Sequence, residues 1–205
     1  MIEYMAKHPD KLLTPLIEHI EMLVITLLLS IVIAAIFCMI SALVPFIGNV
    51  LIHFFSIVYS IPSLALFAVL IPVTGLGRTT AIVVLVVYNQ YLLLRNFLAG
   101  FANVNSNVLE AAKGTGMTKI QVLTKIQVPL SKGAIFTGMQ LAVVSTIGIG
   151  TIAASINAGG LGSLLFDGLR TLNTVKILWG TVLSAGLAIV VNGVLNVVKK
   201  KQEGG

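Results

Sequence analysis

Residues able to do chemistry are sparse in this chain. Seven acids and thirteen lysines and arginines are spread over 205 residues, with three histidines and one cysteine. Asp167 is the only acid between Glu110 and the tail, so no carboxylate pair stands ready for acid–base work. No lysine directly follows a glycine, which removes the phosphate loop of an ATPase, and neither HExxH nor GxSxG occurs. No constellation for catalysis or for a metal ion is left. The polar residues that recur in pattern are of another kind. Glu110, Ala111, Ala112, Lys113, Gly114, Thr115 and Gly116 form a run of one acid, helix formers and glycines, and Ile126, Gln127, Val128 and Pro129 follow it. Ser60, Pro62 and Ser63 interrupt one apolar stretch, Asn89 and Gln90 another, and Asn157, Gly159 and Gly160 come after a third. Such residues cap helices, bend backbone and hydrogen-bond across interfaces. That chemistry moves a structure rather than making covalent bonds.

The elements that must hold these residues are membrane spans. Apolar residues make up 57% of the chain and charged ones 10%, with a mean hydropathy of +1.04. A water-soluble domain carries about a quarter charged residues. Between Glu21 and Arg78 there is no Asp, Glu, Lys or Arg, enough for two spans of roughly 20 residues each. The run Val44-Pro45-Phe46-Ile47-Gly48-Asn49 separates them. The expected fold is an all-α integral membrane protein with five spans, at about 21–43, 50–72, 79–98, 133–155 and 177–198. Residues 1–20 read as a short interfacial segment rather than a cleaved signal, about 101–132 as a polar loop, and 199–205 as a basic tail. Pro62 should kink span two by removing a backbone hydrogen bond. Cys38 lies in an apolar run and reads as a small hydrophobe.

The net charge of +6 lies beside the spans, the pattern of membrane topology, and leaves no basic water-facing domain for nucleic acid. With the C-terminus cytoplasmic, Arg95, the loop lysines 113, 119, 125 and 132, and Lys199, Lys200 and Lys201 fall inside. Lys7, Lys11, Arg78, Arg170 and Lys176 then fall outside, diluted by acids. The positive-inside rule therefore places the N-terminus outside.

The polar loop has internal logic. Asn107 is a suitable N-cap, and Glu110 three residues later suits a capping box. Ala111 and Ala112 favour helix and allow close approach. Gly116 is expected to end the helix in left-handed conformation. A second helix, about Lys119–Lys125, should stop before Pro129. Taken alone, a capped basic helix between spans also serves simply to hold the chain at the lipid surface.

The loop resembles the EAA loop of ABC importer permeases, whose pattern is EAA, three residues, Gly, nine residues and I-x-L-P. Glu110, Ala111, Ala112, Gly116, Ile126 and Pro129 match, Gly114 lies within the run, and Val128 replaces the usual Leu. Ser60-Ile61-Pro62-Ser63-Leu64-Ala65-Leu66-Phe67, Gly75-Leu76-Gly77, Leu94-Arg95-Asn96 and Asn157-Ala158-Gly159-Gly160-Leu161-Gly162 resemble the osmoprotectant branch, which moves glycine betaine, carnitine, choline and related solutes. Asn157 stands where many relatives have Gly. The resemblance covers about residues 17–198. It implies a type I, MetI-like permease fold with a cytoplasmic two-helix coupling loop, in the cell membrane of a prokaryote. It also implies a second permease chain, identical or related, and an ABC ATPase subunit that receives the loop and carries ATP and Mg. A substrate-binding protein outside would hold most of the selectivity, often in an aromatic cage suited to quaternary ammonium groups. This chain itself would bind no cofactor and no metal. It has few aromatics and no evident cage of its own, consistent with a path that passes solute without gripping it.

The remaining polar residues have two readings each. Ser60, Pro62 and Ser63 suit a translocation path or gate, or else a serine pair satisfying a kinked turn. Asn157, Gly159 and Gly160 suit a place where the path opens. Asn89 and Gln90 suit glue between helices or a path lining. Gly138, Gly148 and Gly150 with Ser145, Thr146 and Thr151 give span four a small-residue face for close packing. His53 reads as interfacial or packed, and Glu18, Glu21 and Arg78 as a solvated outer rim. Rival functions are a permease for methionine or another amino acid, an ion-coupled carrier, which would need an intramembrane carboxylate or inverted repeat, and a membrane-embedded enzyme. The sequence supplies neither carrier feature and no catalytic group.

Overall fold

Hydrocarbon offers no hydrogen bonds to backbone, so a chain this apolar must satisfy its peptide groups within helices. The computed structural model of the protein describes residues 2–203, and those residues form helices joined by short turns. In order they are α1 (Ile2–Lys7), α2 (Asp10–Leu43), α3 (Pro45–Ser60), α4 (Ser63–Thr74), α5 (Arg78–Ala102), α6 (Ser106–Gly114), α7 (Lys119–Val122), α8 (Val128–Leu130), α9 (Lys132–Ile152), α10 (Leu161–Arg170) and α11 (Thr174–Glu203). A wide π turn over Leu123–Gln127 joins α7 to α8, and a 3-10 turn over Ala153–Ile156 extends α9.

Four of these helices are long and apolar enough to cross a membrane, and the pair α3–α4 makes a fifth crossing if counted as one. The first is longer than expected. It runs unbroken for 34 residues from Asp10, about 51 Å at 1.5 Å per residue, so residues 10–20 are helically continuous with span one. Pro15 sits inside this helix without ending it. Span two departs further. In place of one kinked helix there are two, inclined at 100° across Ile61 and Pro62. Both residues are extended, at φ −70°, ψ 131° and φ −56°, ψ 136°. Proline removes a donor and forces the residue ahead of it out of helical conformation, and here no neighbouring turn restores the ladder.

α5 is the central post. It packs against α2, α3, α4 and α9. Toward its start Val84, Leu85 and Tyr88 meet Met22 and the fully buried Phe67 of α4. Toward its end Leu93, Leu94, Phe97 and Phe101 meet Ala34, Cys38, Phe55 and Ala142. Between these apolar layers lies a polar one. Asn89 Nδ2 donates to Thr146 Oγ1 at 2.9 Å and to Ser30 Oγ at 3.3 Å, joining α5 to α9 and α2. Gln90 Nε2 donates to the Ser30 and Val86 carbonyls, each at 3.2 Å. Asn89 is fully buried and bonded to two neighbouring helices, the arrangement of the helix-glue reading.

α11 lies antiparallel to α9, with Gln140 Nε2 donating to Asn196 Oδ1 at 2.7 Å. Its terminal lysines therefore stand at the same end of the bundle as the 103–131 loop. At the opposite end Asp167 of α10 accepts from Lys176 at 2.6 Å and from Arg170 at 3.2 Å, which holds its carboxyl below the usual carboxylate range. The most apolar stretch of α11 has none of its residues buried within the chain, leaving that face for lipid or another subunit.

The polar layer has a measurable weight. Asn89→Ala should lower stability by about 1 kcal/mol, the scale of interhelical hydrogen bonds in membranes. Thermal unfolding in detergent, followed by fluorescence of the single tryptophan, Trp179, checks this as a lower midpoint.

Candidate coupling and translocation site

The loop between α5 and α9 folds as two helices held at every end. α6 starts one turn-step earlier than expected. Its N-cap is Asn105, whose side chain accepts from Asn107 N at 2.9 Å. Asn107 is thus inside the helix, and Glu110 has no N-cap to reach back to. Glu110 is exposed and makes no ion pair among the described residues. Ala111 beside it is exposed and Ala112 is buried, so the helix presents one acid and one small side chain outward. The far end closes as expected. Gly116 adopts φ +83°, its N–H bonds to the Lys113 carbonyl at 2.9 Å, and Met117 N bonds to the Ala112 carbonyl at 3.2 Å. That is the Schellman arrangement, which satisfies the last carbonyls of a helix through a left-handed residue.

The capping box belongs to the second helix instead. Thr118 Oγ1 accepts from Gln121 N at 3.3 Å, and Gln121 Oε1 accepts from Thr118 N at 2.8 Å. The signal was present as Thr-x-x-Gln at 118–121. This helix also fails to stop before Pro129. The π turn passes Val128 N back to the Leu123 carbonyl, a five-residue step, and backbone beyond Pro129 stays helical to Leu130. Widening the turn accommodates a ring that a regular α-helix would reject. Two bonds tie the helix to the spans. Lys119 Nζ donates to the Leu43 carbonyl at the end of α2, 3.1 Å away, and Gln127 Nε2 donates to the Phe101 carbonyl at the end of α5, 3.2 Å away. Ile126 is half-buried and Pro129 exposed. The segment that follows α6 is thus anchored at the ends of two spans.

Two further breaks lie elsewhere in the bundle. At the α3–α4 break Tyr88 Oη donates to the Ile61 carbonyl at 2.6 Å, and Ser60 Oγ donates to the Ile57 carbonyl at 2.7 Å. After α9 the chain turns through Asn157 at φ +67°, Gly159 at φ +77° and Gly160 at φ +75°. Asn157 is therefore in the left-handed region, which Asn tolerates without glycine. Glu18 reaches into this turn and accepts from Gly160 N at 2.8 Å. A Cβ at Gly159 would stand 2.6 Å from Glu18 Oε2, and one at Gly160 would stand 2.9 Å from Nδ1 of the fully buried His19. Glu18 is thus a clasp rather than part of a solvated rim. Glu21 and Arg78 remain at the surface, as an ion pair of 2.9 Å. Nothing in the spacing of Glu18 signals a partner 142 residues away.

The comparisons decide what this arrangement belongs to. The model of a family described as the binding-protein-dependent transport system inner membrane component matches residues 28–203. The chain belongs to that family. A choline transport system permease of Bacillus subtilis (strain 168) is 32% identical over 201 residues, 98% of this chain and 93% of its own length. A glycine betaine/carnitine/choline transport system permease of the same organism is 33% identical over the same shares. An ergothioneine transport permease/ergothioneine binding protein of Helicobacter pylori (strain G27) is 34% identical over 139 residues, 68% of this chain and 25% of that protein. An inward-facing structure of the MetNI methionine ABC transporter superposes with a TM-score of 0.84 at 18% identity, over 98% of this chain and 99% of the other. At that identity the likeness speaks for fold alone. The protein is accordingly a permease of an ABC importer, a multi-span component of the membrane rather than an enzyme. Permeases of this kind work with an ATPase and a substrate-binding protein.

In this permease the candidate residues divide among separate places. Glu110, Ala111, Ala112, Gly114 and Gly116 share one short helix and its cap, with Ile126 in the π turn and Pro129 on α8. Ser60, Pro62 and Ser63 lie at the broken span, and Asn157, Gly159 and Gly160 at the clasped turn.

Loss of the Glu18 clasp has a local readout. In Glu18→Ala the Gly160 amide should exchange with solvent roughly tenfold faster or more, the scale of a hydrogen bond to a charged group. Hydrogen–deuterium exchange of the 157–162 segment tests it. Unchanged protection would mean the bond carries no weight.

Proposed function

We propose that this permease takes up a quaternary ammonium osmoprotectant, such as glycine betaine, carnitine or choline, delivered by an external binding protein and driven by an ATPase that grips the Glu110 loop. The geometry of α6 carries the coupling part of this reading. The helix is short, capped at both ends and offers an exposed carboxylate beside an exposed alanine, and the segment that follows it is bonded to α2 and α5 through Lys119 and Gln127. Such an element transmits displacement instead of absorbing it. ATP and Mg belong to the partner ATPase, and no cofactor is assigned to this chain. The exposed apolar face of α11 and the need for two docking loops support a second permease chain, identical or related.

The solute class rests on the relatives. Choline, carnitine, glycine betaine and ergothioneine all carry a trimethylammonium group, so that group is the common denominator of what the named proteins transport or bind. Orientation follows from charge. Lys113, Lys119, Lys125, Lys132 and the terminal lysines share one end of the bundle, which we assign to the cytoplasm. The N-terminus and the Glu18 clasp then face outward, toward the binding protein, at the cell membrane of a prokaryote.

Glu110→Lys and Gly116→Trp should each abolish co-purification with the ATPase subunit while the protein stays folded in detergent. Gly116→Asn, which keeps a residue tolerant of positive φ, should retain most of it. Full ATPase binding and uptake in the first two variants would sink the coupling role.

A further inference from the structure

The fold assembles an aromatic cluster that the linear sequence does not show. Tyr59 is the last residue but one of α3, directly before the break. Tyr88 and Tyr91 lie on α5. The Tyr59 ring centroid is 5.5 Å from that of Tyr88, edge to face at 82°, and 5.1 Å from that of Tyr91, tilted by 35°. Tyr88 is buried and pinned by its hydroxyl to the Ile61 carbonyl, Tyr91 is half-buried, and Tyr59 is 36% exposed. A cation already touches the cluster, because the Arg95 guanidinium lies 5.7 Å from the Tyr91 centroid and donates to its hydroxyl at 2.7 Å.

Depth gives the cluster its meaning. Tyr88 is ten residues along α5 from Arg78, about 15 Å at the helical rise, which is half of the roughly 30 Å hydrocarbon core. At that depth non-helical backbone with exposed serine and proline belongs where it is buried in protein or lines a wet cavity. Ser60 and Pro62 are exposed on the chain, so the break lies on a face that only a second chain or the path itself can cover. Aromatic rings there present negative faces to a cation that has no water shell to shed, the chemistry by which proteins recognise quaternary ammonium groups. The rings touch one another in this conformation. Tyr59 stands beside the bend of the broken span while Tyr88 and Tyr91 share one helix, so a change of angle at Ile61–Pro62 would part the first from the other two.

We propose that Tyr59, Tyr88 and Tyr91 form a mid-membrane subsite that the trimethylammonium group of the solute contacts as it passes the α3–α4 break. This inference rests on the quaternary ammonium reading above. The subsite is weak: it offers ring faces but no carboxylate, the Tyr88 and Tyr91 hydroxyls being engaged by the Ile61 carbonyl and Arg95, and a passing solute is steadied without being trapped.

The test uses the assembled transporter, with its ATPase and binding protein, in proteoliposomes. Phenylalanine and its mono-, di- and trifluorinated forms are placed at position 59, and separately at 91, and ATP-driven uptake of labelled choline, glycine betaine, carnitine and ergothioneine is measured. Each fluorine weakens the negative ring face while leaving packing nearly unchanged. Tyr59→Phe should transport near the wild-type rate, and the fluorinated series should slow stepwise, by about tenfold across it. ATPase stimulation by loaded binding protein should stay intact. Tyr59→Leu should slow uptake to the same extent as the most fluorinated ring. A flat series in a transporter that moves any of these solutes overturns the subsite and leaves the substrate reading standing. A wild-type transporter that moves none of choline, glycine betaine, carnitine and ergothioneine overturns both.

Discussion

Backbone inside a bilayer has only the protein to bond to, and three departures from helix in this permease are met by a side chain from another element. The α3–α4 break frees the Ile61 carbonyl, and Tyr88 from α5 supplies the proton. The turn after α9 leaves Gly160 N–H outside any helix, and Glu18 from α2 accepts it. The loop exposes the last carbonyls of α2 and α5, and Lys119 and Gln127 reach them. A transporter must bend somewhere, and an unmatched bend in hydrocarbon costs several kcal/mol per group. A neighbouring side chain makes bending cheap at each of these three places.

This constraint also separates rigid from movable parts. α5 carries the buried polar layer at Asn89 and Gln90 and is tied on four sides, so it serves as a fixed reference. α4 is held through Phe67 but is joined to α3 only by two extended residues. The segment after α6 is bonded to the ends of α2 and α5, while the broken backbone at Ile61–Pro62 joins α3 to α4.

Much of this was legible in the sequence, for reasons that differ by residue. The spans were visible because lipid demands long uncharged runs, and Gly116 because a left-handed helix end has a compositional mark. The family pattern around Glu110 was visible, but its local role was not. Asn105 and Asn107 are equally good caps two residues apart, and only the finished backbone chooses between them. Pro129 misled because a π turn leaves no mark in composition. Residues 10–20 were detached from span one on the strength of their charges, although nothing there stops a helix. Asn89 was ambiguous because burial depends on which side α2 and α9 occupy. Glu18 and the tyrosine cluster were out of reach altogether, since each depends on contacts between distant parts of the chain.

The Glu18 clasp carries a consequence for biosynthesis. The carboxylate is made 142 residues ahead of the amide it holds, so the clasp cannot form until span four and the turn after it exist. A nascent chain stalled after three spans has its long first helix but nothing to fasten at that end. Closure of the 157–160 turn is thus a property of the completed bundle alone, and a half-built chain leaves Glu18 without its backbone partner, an open mark of incompleteness.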